Sequence, residues 1–234
     1  MNSGSKRYVQ AQRMPVILDK KLWFPDPRKA VQAGVLNGLV AMGGDLSLAR
    51  MLLAYRSGIF PWSVDPITWW SPDPRGIFEL DQFHQSRSLA RIIRKGSFQV
   101  TIDQAFEKVV SGCAAEVKGR ESTWISEEFR SLYMRLAKAG HAHSVECWAG
   151  ELLAGGIFGV AIGGFFAGES MFHRVSNASK VALSHLVEHL RKRQFLLFDI
   201  QMVTPATEQM GAVTIPREEY LRRLQAALDQ ERTF

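Results

Sequence analysis

The 234-residue sequence is 46% hydrophobic, which provides for one large domain or two small ones and excludes disorder as the main state. Its 29 Lys and Arg residues against 23 Asp and Glu leave a formal net charge of +6, compatible with an anionic partner, yet no long basic tail marks a disordered nucleic-acid arm. No apolar run reaches the roughly 18 to 20 residues of a membrane helix, and residues 1–30 hold no apolar stretch behind basic ones, so neither a span nor a secretion signal is expected and the chain reads as cytoplasmic.

Along the chain, residues 1 to about 40 read as a tail and loops, punctuated by Pro25 and Pro27. Asp45 offers a helix cap before Leu48, Met51, Leu52 and Tyr55 at helical spacing, and Gly58 supplies the stop. From Ile59 to Arg75, the density of Trp and Pro reads as a rigid aromatic loop. Residues 84–95 form a second predicted helix and Phe98–Ile102 a strand, after which Asp103 caps a third helix carrying Phe106, Val109 and Val110. Cys113 and Cys147 are far apart and form no C-x-x-C pair, so both read as small buried hydrophobes.

Ser126 begins a fourth helix that Gly140 ends. His143 to Phe172 is strand-like, with Gly163-Gly164 as a hairpin turn. Asn177 is placed to cap a long helix, Phe195–Met202 reads as a buried strand, and Pro216 opens a last helix. The β-β-β-α-β-α order of the second half suits a mixed sheet with helices on its faces, as in acyltransferase folds. A mainly helical first part, residues 1–80, is therefore expected ahead of an α/β part, residues 81–234, with no flexible linker at the boundary.

Several residues stand out for chemistry. Arg87, Arg91, Arg94 and Lys95 project along one helix face, either as a phosphate track or as a solvated basic stripe. His185, Glu188 and His189 match the H-x-x-E-H spacing of inverted zinc peptidases but lack an evident third ligand, and His141 and His143 share a strand face without one, so no metal is assigned. G-E-S-M-F at 168–172 has phenylalanine where a nucleophile elbow needs glycine. It also places Glu169 in an apolar strand, where a carboxylate needs a partner: a substrate ammonium, or an arginine such as Arg174. Asp199 and Gln201, two apart on F-D-I-Q-M, point to one face of a buried strand, as a site or as a solvent-facing edge.

Read together, G-G-D-L-S at 43–47, A-Y-R-S-G-I-F-P-W at 54–62, W-W-S-P-D-P-R at 69–75, S-R-S-L at 86–89, H-A-H-S-V-E at 141–146, G-E-S-M-F and N-A-S-K at 177–180 resemble the bacterial leucyl/phenylalanyl-tRNA-protein transferases, in order from about residue 22 to 225. The resemblance implies an α+β fold, with a small N-terminal domain followed by a GCN5-related acyltransferase-like mixed-sheet domain. It implies transfer of Leu or Phe, with Met as a further donor, from Leu-tRNA or Phe-tRNA to proteins with N-terminal Arg or Lys, marking them for degradation. No metal or cofactor is implied, and a monomer is expected.

By the same resemblance, Trp124, Glu169, Met171 and Leu186 belong to the aminoacyl pocket, and Phe166 joins them from its place in the same strand. Tyr55 and Trp62 would lie near the tRNA terminus, with Arg87, Arg91, Arg94 and Lys95 as the basic track. Asp199 and Gln201 would form the catalytic pair, Asp199 polarising Gln201, with Glu169 as a third catalytic residue that holds the donor's α-amino group or steadies the acceptor. An amide oxygen is a poor base, so Gln201 is expected to position the attacking amine rather than deprotonate it. Ala206 stands where the family commonly has histidine. The rival readings are a non-catalytic RNA-binding module and a zinc peptidase.

Overall fold

The computed structural model describes residues 15–32, 34–116 and 123–234. Of the tail and loops expected up to about residue 40, residues 1–14 lie outside the described part, and the loops that follow are interrupted by one short strand and two 3-10 turns. Val16–Leu18 (β1) pairs in parallel with Leu39–Gly43 (β2). Helix α1, Leu48–Arg56, follows, capped not by Asp45 but by Ser47, whose hydroxyl accepts the Arg50 N–H at 3.3 Å. Asp45 instead accepts from the Ser47 amide and the Arg50 guanidinium. Arg50 is fully buried and donates to the carbonyls of Asp19, Lys21 and Trp23, tying the preceding chain down.

The Trp-rich stretch is a hairpin and not a loop. Phe60–Val64 (β3) and Ile67–Trp70 (β4) pair antiparallel, completing a sheet of order β1-β2-β4-β3. Pro61 is tolerated because β3 is an edge strand, where a missing N–H breaks no second ladder. Trp69 is fully buried, its indole N–H donating to the Gly43 carbonyl at 2.9 Å. The expected mainly helical first part is thus largely sheet.

Arg75–Phe78 (β5) enters the second sheet ahead of residue 80. Then come helix α2, Arg87–Lys95, strand β6, Gln99–Ile102, and helices α3, Phe106–Ala114, and α4, Glu127–Lys138. Three long strands follow, β7, Ala142–Ala149, β8, Leu152–Ile162, and β9, Phe165–His173, the last two joined by the Gly163-Gly164 turn. Helix α5, Ala178–Lys192, strand β10, Leu197–Gln201, short helix α6, Pro205–Glu208, strand β11, Ala212–Ile215, and helix α7, Arg217–Leu228, complete the chain. The strands order as β11-β5-β10-β9-β8-β7-β6, with β9 and β10 parallel and the other neighbours antiparallel. This is a mixed α+β fold in which an N-terminal sheet precedes a larger mixed sheet. Among the described residues, no helix is long and apolar enough to cross a membrane.

One face of the large sheet meets α3, α4 and α7 through Val109, Phe129, Leu132 and Leu224, and the other meets α5 through Val181, Leu186 and Leu190. Besides Asp45, two more expected caps do not form. Asp103 adopts a left-handed φ of 55°, and its carboxylate accepts from the Ser144 amide across the sheet rather than from α3. Asn177, at φ 70°, leads into α5 without a side-chain cap bond.

Helix α3 sits close on β9 because Gly112 leaves room for the Phe172 ring. A Cβ there would lie 2.5–2.6 Å from three ring atoms. Alanine improves intrinsic helix propensity by about 1 kcal/mol, but forcing an added carbon into a packed contact costs about 1–3 kcal/mol. Gly112→Ala is therefore expected to lower stability, read as an earlier urea midpoint; an unchanged or later midpoint would refute this packing account.

Candidate functional site

The site forms where β9 and β10 part. Their parallel ladder ends at Ala167 opposite Asp199, and each strand bulges just beyond. In β9, Gly168 faces Gly159 and Ser170 faces Phe158, leaving Glu169 as the extra residue. In β10, Asp199 faces Ile77 and Gln201 faces Gly76, leaving Ile200 extra. A bulge re-aims the side chains around it, and here it turns Glu169 toward α1 and α4.

Glu169 meets donors from three elements. Its Oε2 accepts the Tyr133 hydroxyl of α4 at 2.6 Å, and its Oε1 accepts the Tyr55 hydroxyl of α1 at 2.9 Å and the Gln201 side-chain amide at 3.4 Å. Burial lifts the Glu169 carboxyl to about 7, against the two tyrosine hydrogen bonds, which favour the ionised form. Burial also drives the Tyr55 and Tyr133 phenols well upward, so both remain protonated donors. Glu169 and Gln201 open on a pocket of about 280 Å³ walled by Phe60, Pro61, Trp62, Trp124, Ile200 and Met202.

Asp199 lies beneath this pocket, fully buried. Arg75 grips it with Nε to Oδ1 at 2.8 Å and Nη2 to Oδ2 at 2.6 Å, and the Tyr220 hydroxyl donates to Oδ2 at 2.9 Å. The contact with Gln201 is through the main chain: Asp199 Oδ1 accepts the Gln201 N–H at 2.9 Å, holding that residue at a left-handed φ of 58°. The expectation that Asp199 polarises the Gln201 side chain is corrected accordingly. Strand alternation fails here because of the bulge.

The structure brings Glu169, Gln201, Trp62 and Trp124 to one pocket. Tyr55 lies under it with its hydroxyl on Glu169, rather than at the surface beside a tRNA terminus. Phe166 and Leu186 are buried on the other face of the sheet under α5, and Met171 packs against the same cluster. Glu169 and Met171, two apart, part company because the bulge falls at Glu169. Arg174, weighed as a Glu169 partner, donates to the Leu153 carbonyl instead. Arg87, Arg91, Arg94 and Lys95 are exposed on α2 and form no ion pair among the described residues.

Glu188 pairs with Lys192 at 2.7 Å, while the His189 ring packs 4.5 Å from that of Phe234. His143 Nδ1 bonds Asp103 at 2.7 Å. Among the described residues, no group of three His, Cys, Asp or Glu could hold a metal ion.

Sequence pattern alone does not single out Arg75, Tyr133 or Tyr220. Arg75 carries a readable signal, a charge in the otherwise apolar R-G-I-F strand, which demands a partner as Glu169 does. Tyr133 and Tyr220 occupy ordinary core positions of amphipathic helices and carry no such mark.

Comparison with known proteins bears on this geometry. A family model described as "Leucyl/phenylalanyl-tRNA protein transferase" matches residues 77–225, and one described as its N-terminal domain matches residues 44–73. Curated proteins named leucyl/phenylalanyl-tRNA–protein transferase are similar throughout. The Tolumonas auensis protein is 47% identical over 215 residues, covering 91% of each chain, and the Anaeromyxobacter sp. protein is 49% identical over 216 residues, covering 91% of this chain and 90% of that one. Among solved structures, "The structure of L-PGS from Bacillus licheniformis" overlaps 65% of this chain and 51% of its own at 12% identity and a TM-score of 0.40, too loose a likeness to inform chemistry.

The buried Arg75–Asp199 pair sets a stability expectation. Removing one partner strands the other charge, which typically costs about 3–5 kcal/mol, whereas replacing both by apolar residues is often nearly neutral. Arg75→Met should lose about that much in urea denaturation, and Arg75→Met/Asp199→Leu should lose less than the single variant. A double variant weaker than the single one would contradict it.

Proposed function

The chain belongs to the leucyl/phenylalanyl-tRNA protein transferases and moves an aminoacyl group from tRNA to protein, and we propose that its donors are leucyl and phenylalanyl esters, with methionyl as a further one, and its acceptors proteins beginning with Arg or Lys. The product carries a new N-terminal residue that marks it for degradation. The enzyme acts as a cytoplasmic monomer without a metal or cofactor.

The observation that carries this reading is the Glu169 carboxylate, held by two tyrosine hydroxyls and the Gln201 amide in an apolar pocket. A carboxylate so placed pairs with the α-ammonium group of the donor amino acid. Trp62 and Trp124 supply aromatic surface for the donor end. Phe166, Met171 and Leu186 belong to the cluster on the other face of the sheet and do not line this pocket, so the donor side chain rests against Trp62, Trp124, Ile200 and Met202 instead. Depth and apolarity, with no polar readout, accept both side chains.

In the reaction, the neutral α-amine of the acceptor attacks the ester carbonyl carbon. A C–N bond forms, the C–O bond to the ribose breaks, and the leaving oxygen takes up the proton the amine releases. With its Nε2 directed at Glu169, Gln201 presents Oε1 to the incoming amine and orients it. An ester is already activated, so alignment of the two reactants supplies several kcal/mol of the acceleration. Asp199 serves by fixing the Gln201 backbone.

The test is transfer of labelled leucine from Leu-tRNA to peptides beginning with Arg or Ala, with and without EDTA. Transfer selective for the Arg peptide and resistant to chelator is expected; tight tRNA binding without transfer would favour a non-catalytic RNA-binding module. Because Glu169 is anionic only above about 7, kcat/KM should rise with pH through that value. Glu169→Gln removes a charge-assisted contact of about 1.5–3 kcal/mol, a fall of roughly 10- to 100-fold, and should leave only the acceptor amine's own rise near pH 8. An unchanged profile would remove Glu169 from this role.

The stripe of Arg87, Arg91, Arg94 and Lys95 is exposed, and in this reading it is the track that follows the tRNA backbone. Replacing each with alanine should weaken tRNA binding and flatten the dependence of log affinity on log salt by about 1 for each phosphate that is no longer neutralised. An unaltered slope would return the stripe to a solvated helix face.

A further inference from the structure

Arg75 lies behind the pocket without lining it and, in the proposed transfer reaction, touches neither substrate. Its guanidinium is nevertheless fully engaged. Nε and Nη2 hold Asp199, Nη1 donates to the Gly58 carbonyl at 3.2 Å, and the group packs on the Phe60 ring at 4.9 Å and the Tyr220 ring at 4.4 Å.

Two routes lead from this group to Glu169. One runs through Asp199 to the Gln201 amide, and from the Gln201 side chain to Glu169 Oε1. The other runs through Gly58, whose N–H donates to the Tyr55 carbonyl at 3.1 Å at the end of α1, and from the Tyr55 hydroxyl to the same oxygen. Gly58 adopts φ 73°, and a Cβ there would lie 2.6 Å from Leu221, so the turn that receives Arg75 is sterically fixed.

Stability does not by itself explain such a group. A buried ion pair is often matched or exceeded in stability by apolar residues of similar volume. What an apolar pair cannot do is hold Gln201 in a left-handed conformation, which costs a non-glycine residue about 1–3 kcal/mol unless its surroundings enforce it. We propose that Arg75 is a positioning residue for the transfer reaction: acting through Asp199 and Gly58, its guanidinium fixes Gln201 and Tyr55 against Glu169 so that donor and acceptor are aligned.

This proposal rests on the transferase reading, and its experiment separates the two. Steady-state transfer from Phe-tRNA to an Arg-initiated peptide is measured for the wild type, Arg75→Lys and Arg75→Met/Asp199→Leu, with thermal melts and tRNA affinity for each. Arg75→Lys keeps the charge but cannot make the forked contact with Asp199 and reach Gly58 together. It is expected to remain folded at the assay temperature and to bind tRNA within about threefold of the wild type. Its kcat should fall about 100-fold with little change in acceptor KM, as for a misplacement of about 1 Å. The double variant, if folded, should be at least as slow. Arg75→Lys within about twofold of wild-type kcat, a loss matching only its unfolded fraction, or a double variant that regains transfer would overturn the positioning role. A wild type that transfers nothing would instead sink the transferase reading itself.

Discussion

A carboxylate in an apolar interior must be answered by donors or by a cation, and Glu169 is answered by donors alone. Tyr55, Tyr133 and Gln201 come from α1, α4 and β10, so satisfying one acid requires the N-terminal unit, the helical layer and the large sheet to meet at one point. Left unmet, such a group would carry a desolvation penalty of several kcal/mol. The hydroxyls also leave it without a countercharge, so burial raises its pKa toward 7 despite them. That residual demand for a cation makes the cluster fit to receive an ammonium group.

The demand is created by a backbone irregularity. Regular alternation would send Glu169 and Met171 to the same side and place Asp199 beside Gln201. The paired bulges break both relations just where β9 and β10 cease to bond. The cost of the bulges is met by glycines: a Cβ at Gly76 would lie 2.7 Å from the Met202 backbone, and none is present.

These facts also mark how far the sequence could be read. The order of the long strands and helices after residue 140 follows from period-2 and period-3.6 patterns and was legible, as was the pairing need of Glu169; the four-residue α6 and β11 were not, being too short to show a period. The N-terminal sheet was not, because Pro61 on an edge strand reads as a breaker, and β1 is only three residues long. Asp45 and Asp103 looked like caps because capping is a local rule, whereas both carboxylates serve contacts made elsewhere, Asp45 with Arg50 and Asp103 with Ser144. Which residues share a pocket depended on where the bulges fall, and no composition signal announces a bulge at Glu169. Arg75 was read as the end of the aromatic loop, so neither its strand nor its partner 124 positions away was legible.

The site therefore contains two buried acids with opposite solutions. Asp199 is neutralised by a bidentate arginine and a tyrosine, while Glu169 receives only neutral donors. The two are electrostatically linked: the charge of Asp199 pushes the Glu169 pKa up, and that of Arg75 pulls it down. Were Asp199 uncompensated, its field would act unopposed on Glu169, whose proton would then be held more firmly and whose capacity to pair with an ammonium near neutral pH would fall. Burial remains the main reason the Glu169 carboxyl lies near 7, and the charges of Asp199 and Arg75 act on it as smaller, opposed influences, so the ion pair beneath the pocket offsets within itself much of the field it would otherwise impose on the acid above it.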